Sequence, residues 1–391
     1  MSMANDPLAW IADELDLLAQ RDLHRQLRAI ERPQTARLQM GGREFVNFAA
    51  NDYLGLAADS RLVEAAVRAA KQWGWGAGAS PLVVGRTQAH AQLERRLAEF
   101  EGTDSAILFS TGFAANQGAI TALVGKGDAV FSDALNHASI VDGCRLSRAE
   151  VHVYPHADLS SLQKLLATAS ASGRRLIVTD SLFSMDGDLA PLTDLAELAR
   201  KYDCMLMVDE AHATGVFGRK GRGVAEHLGC EDGVHIRVGT LSKALGGIGG
   251  FVAGSRMLTD WLANRARTYV FSTALPPAAA AAACTALDIV AREPLRRETL
   301  LSRAANLTSR LKGQGWNVGT TRSQIIPLLI GEASQALTIS ATLAGQGYWA
   351  PAIRPPSVPA GEARLRISLS YAHDDSMIDG LVEALGRLKA A

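Results

Sequence analysis

Apolar residues without alternation recur through the middle of the chain, and helical patterns separate them. The short strands that they predict are Ala106–Phe109, Ala129–Ser132, Val151–Tyr154, Leu176–Thr179, Met205–Val208 and Ile236–Val238. Runs of this kind suit strands that are covered on both faces. We therefore predict an α/β fold built on a large, doubly wound, mostly parallel sheet.

Both ends of the chain follow other patterns. Apolar residues at helical spacing predict an N-terminal helical arm; they are Leu8, Ile11, Leu15, Leu18, Leu23, Leu27 and Ile30. Gly41-Gly42 predicts a hairpin turn after the arm. Beyond Pro277, two long helices, a strand, a helix, a proline-rich loop, a strand and a last helix predict a smaller α+β domain. We place the arm and hairpin at 1–50, the large domain at 51–280 and the small domain at 281–391.

Composition and charge argue against several classes of partner. The 391 residues include 40 basic and 40 acidic side chains, so no overall field favours nucleic acid or an anionic membrane. The four cysteines lack C-x-x-C spacing, which suggests neither a disulfide framework nor a zinc site. The first residues do not resemble a secretory signal, and the alanine run Ala278–Ala283 is too short to span a bilayer. We expect a cytoplasmic protein without a metal.

Polar residues follow four of the predicted strands directly. They are Asp133 and His137, Asp180 and Ser184, Asp209 and His212, and Thr240 and Lys243. In open α/β sheets, ligands bind beyond the carboxyl ends of the strands. Alone, Asp209 could cap a helix, His137 could be an ordinary hydrogen-bonded residue, and Lys243 could lie on the surface. Together with the helix start at Gly112, they form the set that pyridoxal phosphate requires: a lysine for the aldehyde, an acid for the ring nitrogen and a phosphate site.

The sequence Asp209-Glu210-Ala211-His212, followed by Thr240-Leu241-Ser242-Lys243, resembles the signature of fold-type I pyridoxal-phosphate enzymes, and more narrowly that of the α-oxoamine synthases. The same resemblance extends over nearly the whole chain, through Asn51–Leu56, Thr111–Asn116, Asn136–Gly143, Phe183–Asp188, Phe271–Pro277 and Arg354–Pro359. It implies an acyltransferase that uses pyridoxal 5'-phosphate and works as a homodimer with shared active sites.

The resemblance also implies a role for each matching residue. Lys243 would bind the cofactor aldehyde and act as the base, and Asp209 would pair with the ring nitrogen. His212 would bind the ring hydroxyl, and His137 would stack on the ring. Further cofactor contacts would come from Gly112, Phe113, Ser184 and Thr240, and across a subunit interface from Ser272 and Thr273. The substrate-binding candidates are Arg25, Asn51, His137, Arg354, Ser357 and Arg366, with Arg366 preferred for the amino acid.

The segment Ile353–Pro359 is most similar to family members that condense L-alanine with a pimeloyl thioester, with loss of carbon dioxide, in biotin synthesis. The expected substrates are therefore L-alanine and pimeloyl-CoA or its carrier-protein form. Two alternatives stay open. One is another α-oxoamine synthase, such as a glycine C-acetyltransferase, and the other is a regulator or inactive subunit with the same fold.

Overall fold

The computed structural model describes residues 6–169 and 173–390. The helices are α1 (Trp10–Gln20), α2 (Ser60–Trp73), α3 (Gln88–Glu101), α4 (Gly112–Leu123), α5 (Ala138–Ser147), α6 (Leu159–Thr168), α7 (Leu192–Lys201), α8 (Val224–His227), α9 (Arg256–Arg265), α10 (Arg267–Val270), α11 (Pro277–Arg292), α12 (Leu295–Gly313), α13 (Ala333–Gly345) and α14 (Asp375–Ala390). The strands are β1 (Arg37–Met40), β2 (Arg43–Asn47), β3 (Ser105–Phe109), β4 (Ala129–Asp133), β5 (Glu150–Tyr154), β6 (Arg175–Asp180), β7 (Met205–Asp209), β8 (Ile236–Thr240), β9 (Gly250–Gly254), β10 (Ile325–Gly331), β11 (Tyr348–Trp349), β12 (Ala352–Ile353) and β13 (Ala363–Ser368).

The large sheet has seven strands in the order β3-β9-β8-β7-β6-β4-β5. β4 to β8 pair in parallel, and β9 runs antiparallel to β3 and β8. Alternate residues of each strand face opposite sides of the sheet. Ile177 therefore packs in one apolar cluster with α3, α6 and α7, and Val178 in another with α4, α5 and α9. Burial on both faces confirms the predicted doubly wound, mostly parallel sheet.

The sequence-based prediction missed β9, because its terminal glycines and the glycines before it are typical of a loop. Gly250 is required there by close approach. A Cβ atom at this position would lie 2.5 Å from the carbonyl oxygen of Thr111 and 2.6 Å from the Cα of Gly112. The bare backbone thus lets β9 pack against the start of α4.

The C-terminal part of the chain follows the predicted order of elements. α11 and α12 precede β10, and α13, β13 and α14 follow it. β10, β13 and β12 form a second sheet, while β11 pairs in parallel with β2 and joins the N-terminal hairpin. α11 spans Pro277–Arg292, so the domain boundary that we place at residue 280 lies inside this helix, which packs against α2 and α3 of the large domain.

The N-terminal arm is helical over a shorter stretch than the apolar stripe predicts. The helix α1 ends at Gln20, Asp22 adopts a left-handed φ of 58°, and Leu27 and Ile30 are exposed on an irregular segment. The prediction that the stripe continues to Ile30 is therefore wrong. α1 itself buries no side chain within the chain. Helical periodicity alone does not stabilise a helix, because most helical stability in proteins comes from packing.

Within residues 6–169 and 173–390, no helix combines the length and hydropathy needed to cross a bilayer. The same residues contain no group of three or more His, Cys, Asp or Glu side chains arranged to bind a metal ion. Residues 1–5, for which we expect no secretory signal, lie outside the described residues.

Candidate active site

Four predicted site residues lie where parallel strands end. His137 caps α5 just after β4, Ser184 lies on the loop after β6, Asp209 ends β7, and Lys243 follows β8. Ligands of open α/β sheets bind at this edge. The charges of Asp209 and Lys243 act on the pKa of His137, so the structure brings these three residues together.

Asp209 is buried and held by two donors. The amide Nδ2 of Asn116 lies 2.6 Å from its Oδ2, and the backbone N–H of Ala211 donates to its Oδ1 over 2.8 Å. Asn116 Nδ2 also donates to the hydroxyl of Ser139 over 2.8 Å. Sequence reasoning gave Asn116 no role. The available signal was a pair of amides, Asn116 and Gln117, in the otherwise apolar first turns of α4.

Asp180 and His137 are linked next to Asp209. The backbone N–H of His137 donates to Oδ2 of Asp180 over 2.7 Å. Burial, and after it the charge of Asp209, hold the pKa of Asp180 well above its usual value. Burial also lowers the pKa of His137, against the opposing effect of Asp209. This edge of the sheet therefore favours a neutral Asp180 and a neutral imidazole.

Lys243 is half-buried on a tight turn between β8 and β9. Its carbonyl accepts from the N–H of Gly246 over 2.9 Å, and Gly246 has a φ of 66°. A Cβ atom on Gly246 would lie 2.5 Å from the carbonyl carbon of Leu56, so only glycine fits this turn. Burial lowers the pKa of Lys243, although Asp209 opposes the shift. A larger fraction of free amine makes the lysine a better nucleophile and base.

The start of α4 forms a candidate phosphate site. Thr111 caps the helix by accepting from the N–H of Ala114 over 3.0 Å, which leaves the N–H groups of Gly112 and Phe113 without intrahelical partners. Thr240 lies beside them, since a Cβ atom on Gly112 would be 3.4 Å from its Oγ1. The Thr240 hydroxyl donates to the carbonyl of Gly249 over 2.9 Å. The hydroxyl of Thr240 can therefore donate to an anion only if it gives up this bond to Gly249.

His212 belongs to a buried network that the sequence did not reveal. Its Nδ1 lies 2.7 Å from the phenol oxygen of Tyr53, which also contacts Asn51 and Arg366. Burial, and then the charges of Lys243 and Arg366, hold the pKa of His212 well below its usual value. The imidazole is therefore neutral at pH 7. Arg366 donates through Nε to the carbonyl of Ser184 over 2.5 Å, which ties this network to the loop after β6.

Three substrate-binding candidates form a separate group. Arg25 donates to the carbonyl of Pro355 over 3.1 Å, and Arg354 donates to the carbonyl of Asp22. The N–H of Ser357 donates to the carbonyl of Arg354 over 3.1 Å. Burial and the charge of Arg25 lower the pKa of Arg354. In the described chain these residues hold the segment after α1 against the proline-rich loop, and none bonds to the cluster around Lys243.

Ser272 and Thr273 also lie apart from that cluster. They occupy the loop between α10 and α11, beside His90 and Ser110. Within the described residues, their side chains make no hydrogen bond to the residues around Lys243.

The residues that meet at the sheet edge fit pyridoxal phosphate. The amine of Lys243 makes no side-chain hydrogen bond within the described chain, and Asp209 supplies a buried carboxylate nearby. The Nε2 of His212 is likewise left without a partner among the described residues. The start of α4 adds free N–H groups for a phosphate. These residues therefore offer a suitable partner for each of the four groups of the cofactor: its aldehyde, ring nitrogen, ring hydroxyl and phosphate.

Comparisons with known proteins agree with this chemistry. The family described as "Aminotransferase class I and II" matches residues 43–385. An 8-amino-7-oxononanoate synthase of Anaeromyxobacter dehalogenans is 51% identical over 98% of this chain and 96% of its own length. One from Geobacter sulfurreducens is 49% identical over 97% of each chain.

Solved structures share the fold. A serine palmitoyltransferase of Sphingomonas wittichii superposes with a TM-score of 0.93 at 34% identity, covering 98% of this chain and 99% of its own. A crystal structure of 8-amino-7-oxononanoate synthase from Francisella tularensis gives 0.77 at 29% identity, covering 88% and 97%. The structural match is closer for the serine palmitoyltransferase, whereas the curated relatives at 49–51% identity are 8-amino-7-oxononanoate synthases. We give more weight to sequence identity for substrate choice, because one fold hosts many activities.

Proposed function

The chain belongs to the class I and II aminotransferase family, and we propose that it works within it as an 8-amino-7-oxononanoate synthase. The resemblance inferred from the sequence is confirmed, and the cofactor is pyridoxal 5'-phosphate. The relatives are enzymes, so the alternative of a regulator or inactive subunit is set aside. The reaction would join L-alanine to a pimeloyl thioester and release carbon dioxide. The observation that carries the proposal is 51% identity over nearly the whole chain, together with Lys243 beside Asp209.

The cofactor, when bound, supplies an electron sink for negative charge that forms at the α-carbon of the amino acid. Asp209, held by Asn116, would keep the ring nitrogen protonated. The Nζ of Lys243 would take the α-proton of alanine, for which its lowered pKa suits it. The charges of Asp209 and Lys243 also act on His137, and its imidazole would cover the face of the cofactor ring. Phe113 packs edge-on against His137, with ring centroids 6.3 Å apart, and would limit its movement.

The carboxylates of the two substrates would bind to different arginines. Arg366 is buried next to Tyr53 and Asn51, close enough to Lys243 to affect its pKa, so we propose that it binds alanine. Arg25 and Arg354 lie with Ser357 at the outer loop and would reach the far end of the acyl chain. This assignment places the two carboxylates at opposite ends of the site.

A second activity needs testing because the serine palmitoyltransferases superpose so closely. Glycine C-acetyltransferase is the other alternative from the sequence. All of these reactions release CoA and differ in the amino acid and the acyl chain. The choice between them therefore depends on substrate preference, which the shared fold does not determine.

The test is a direct comparison of substrate pairs with the purified holoenzyme. We expect L-alanine with pimeloyl-CoA, or with pimeloyl carrier protein, to give equal amounts of thiol and carbon dioxide and an amino ketone of the expected mass. The comparison pairs are glycine with acetyl-CoA and L-serine with palmitoyl-CoA. A higher kcat/KM for either comparison pair would overturn the proposal.

We also infer a homodimer with shared active sites. Large apolar side chains are exposed on one connected part of the chain: Trp75, Val83, Val84 and Phe271. The N–H of Ala274 donates to the carbonyl of Ala79 over 3.0 Å, which joins the loop of Ser272 and Thr273 to this segment. Exposed apolar clusters mark interaction surfaces. An interface here would bring Ser272 and Thr273 to the site of a second copy.

A further inference from the structure

Tyr53 lies at the turn between the N-terminal hairpin and α2, and its ring is fully buried. Its backbone is fixed on both sides: its N–H donates to the carbonyl of Asn51, and its carbonyl accepts from the N–H of Tyr371, each over 2.8 Å. Burial raises the pKa of the phenol, so the hydroxyl keeps its proton at pH 7. Tyr53 therefore presents one proton and one oxygen at a fixed place.

Three polar groups surround this hydroxyl. The Nδ1 of His212 lies 2.7 Å away, the Oδ1 of Asn51 lies 3.1 Å away, and the Nη2 of Arg366 lies 3.2 Å away. The guanidinium can only donate, so the phenol oxygen accepts from Arg366. The phenol proton must then go to His212 or to Asn51.

The distances favour His212. A separation of 2.7 Å is typical of an O–H donor, whereas bonds donated by N–H are usually about 2.9–3.0 Å long. Asn51 Oδ1 already accepts from Nη1 of Arg366 over 3.1 Å. The neutral imidazole of His212 carries a single proton. If Nδ1 accepts from Tyr53, that proton is on Nε2.

We propose that Tyr53 is a positioning residue, which donates to Nδ1 of His212 and so fixes the imidazole proton on Nε2, the nitrogen available to the ring oxygen of the cofactor. This inference rests on the proposed function only in assuming that the cofactor binds beside His212. A donor at Nε2 stabilises negative charge on that oxygen. With the opposite tautomer, a lone pair would face the same oxygen and repel it.

Arg366 strengthens this arrangement. A donor to the phenol oxygen polarises the O–H group and makes it a better donor in turn. Arg366 uses four of its five N–H groups within the described chain, on Ser184, Asn51, Ser368 and Tyr53. One N–H of Nη2 remains for a substrate carboxylate. The group that would bind alanine is thus in contact with the residue that orients His212.

The test is ¹⁵N NMR of protein labelled in histidine, with His212→Gln used to assign the signals of His212. In the parent protein, with and without cofactor, we expect Nε2 to carry the proton and Nδ1 to carry none. In Tyr53→Phe, which keeps the aromatic ring, we expect a mixture of the two tautomers, in which the proton of His212 is shared between Nε2 and Nδ1. The visible absorption band of the bound cofactor should titrate about one pH unit higher, because the ring oxygen then holds more negative charge.

Tyr154→Phe is the matched control. Tyr154 is also buried, and its phenol makes no hydrogen bond within the described chain, so both readouts should stay at parent values. A proton on Nδ1 of His212 in the parent protein would overturn the proposal, as would unchanged readouts in Tyr53→Phe. Neither measurement uses alanine or a pimeloyl thioester. An inactive enzyme in the substrate assay would therefore refute the proposed function without affecting this result.

Discussion

Lys243 shows how much one side chain depends on its surroundings. Lys243 is half-buried, and burial lowers the pKa of its amine although the charge of the nearby Asp209 opposes the shift. We expect Lys243→Ala to lose at least about 10²–10⁴-fold in turnover, since a positioned base contributes that much. Cofactor binding should remain detectable by absorbance, because the contacts of Asp209 and the start of α4 are kept. Steady-state rates and a spectrum of the purified variant measure both effects.

Borohydride reduction provides the control for Lys243. In the parent protein, reduction should fix the cofactor on the peptide that contains Lys243, and Lys126→Ala, at an exposed lysine, should behave as the parent does. Turnover of Lys243→Ala within tenfold of the parent would refute its role as the base.

His156 predicts a pH-dependent contribution to stability. Its Nδ1 lies 3.0 Å from Asp133 and its Nε2 lies 2.8 Å from Asp188. Burial opposes its charge, but the two carboxylates outweigh burial and raise the pKa of His156 to about 10. The unfolded value is about 6.5, so the stabilisation is complete below that pH and is lost as the pH rises through about 10. His156→Gln should lower the free energy of unfolding by about 2 kcal/mol near pH 6.

Thermal unfolding of both proteins between about pH 6 and pH 10.5 measures this contribution. The difference in Tm should shrink steadily with rising pH. His227→Gln, at an exposed histidine, should show little difference at any pH. A Tm difference for His156→Gln that is the same at both ends of the range would contradict the ion-pair account.

Among the secondary-structure elements, β9 packs directly against the start of α4, where we expect the phosphate site. A Cβ atom on Gly250 would collide with the backbone of Thr111 and Gly112 at 2.5–2.6 Å. Gly250→Ala must therefore push the start of α4 away from β9, which we expect to reduce stability by roughly 2 kcal/mol. The affinity for pyridoxal phosphate should fall by about tenfold or more, or at least 1.4 kcal/mol. Equilibrium dialysis of the apoprotein measures it.

Gly313→Ala is a suitable comparison, because a Cβ atom there meets nothing within 4 Å and its φ is not left-handed. It should retain parent affinity for the cofactor. If Gly250→Ala also binds the cofactor with parent affinity, β9 does not position the start of α4 as described.

The elements that could be predicted from sequence are those whose signal is local. β4, β6 and β7 each contain a continuous apolar run that is buried on both faces, and β8 is buried throughout although Arg237 interrupts its apolar residues. Once these strands are placed, the polar residues at and just after their carboxyl ends are placed at the same edge of the sheet. β9 could not be predicted, because its glycines serve a close approach between distant segments. Tyr53 was missed for a similar reason: its partner His212 lies 159 residues away in the chain. The pattern of apolar and polar residues along the chain does not indicate a contact between residues so far apart in sequence.

The whole molecule is expected to act as a dimer, in which the loop of Ser272 and Thr273 completes the neighbouring site. Mixed dimers test this directly. One chain carries Lys243→Ala, the other carries Ser272→Ala and Thr273→Ala, and two affinity tags isolate the mixed species. With shared sites, one of the two sites receives only parent residues, so about half of parent activity should return. The assay uses a cofactor concentration at which the Ser272→Ala/Thr273→Ala dimer is largely inactive.

The reciprocal mixture gives the opposite expectation and so decides the matter. A parent chain is paired with a chain that carries all three substitutions. If each site lies within one chain, the parent chain keeps its complete site and half of the activity remains. If the sites are shared, the parent's Lys243 meets substituted residues from its neighbour, and the intact loop serves a site without lysine, so activity falls to background. Half activity in this mixture, or none in the first one, would show that Ser272 and Thr273 do not act across the interface.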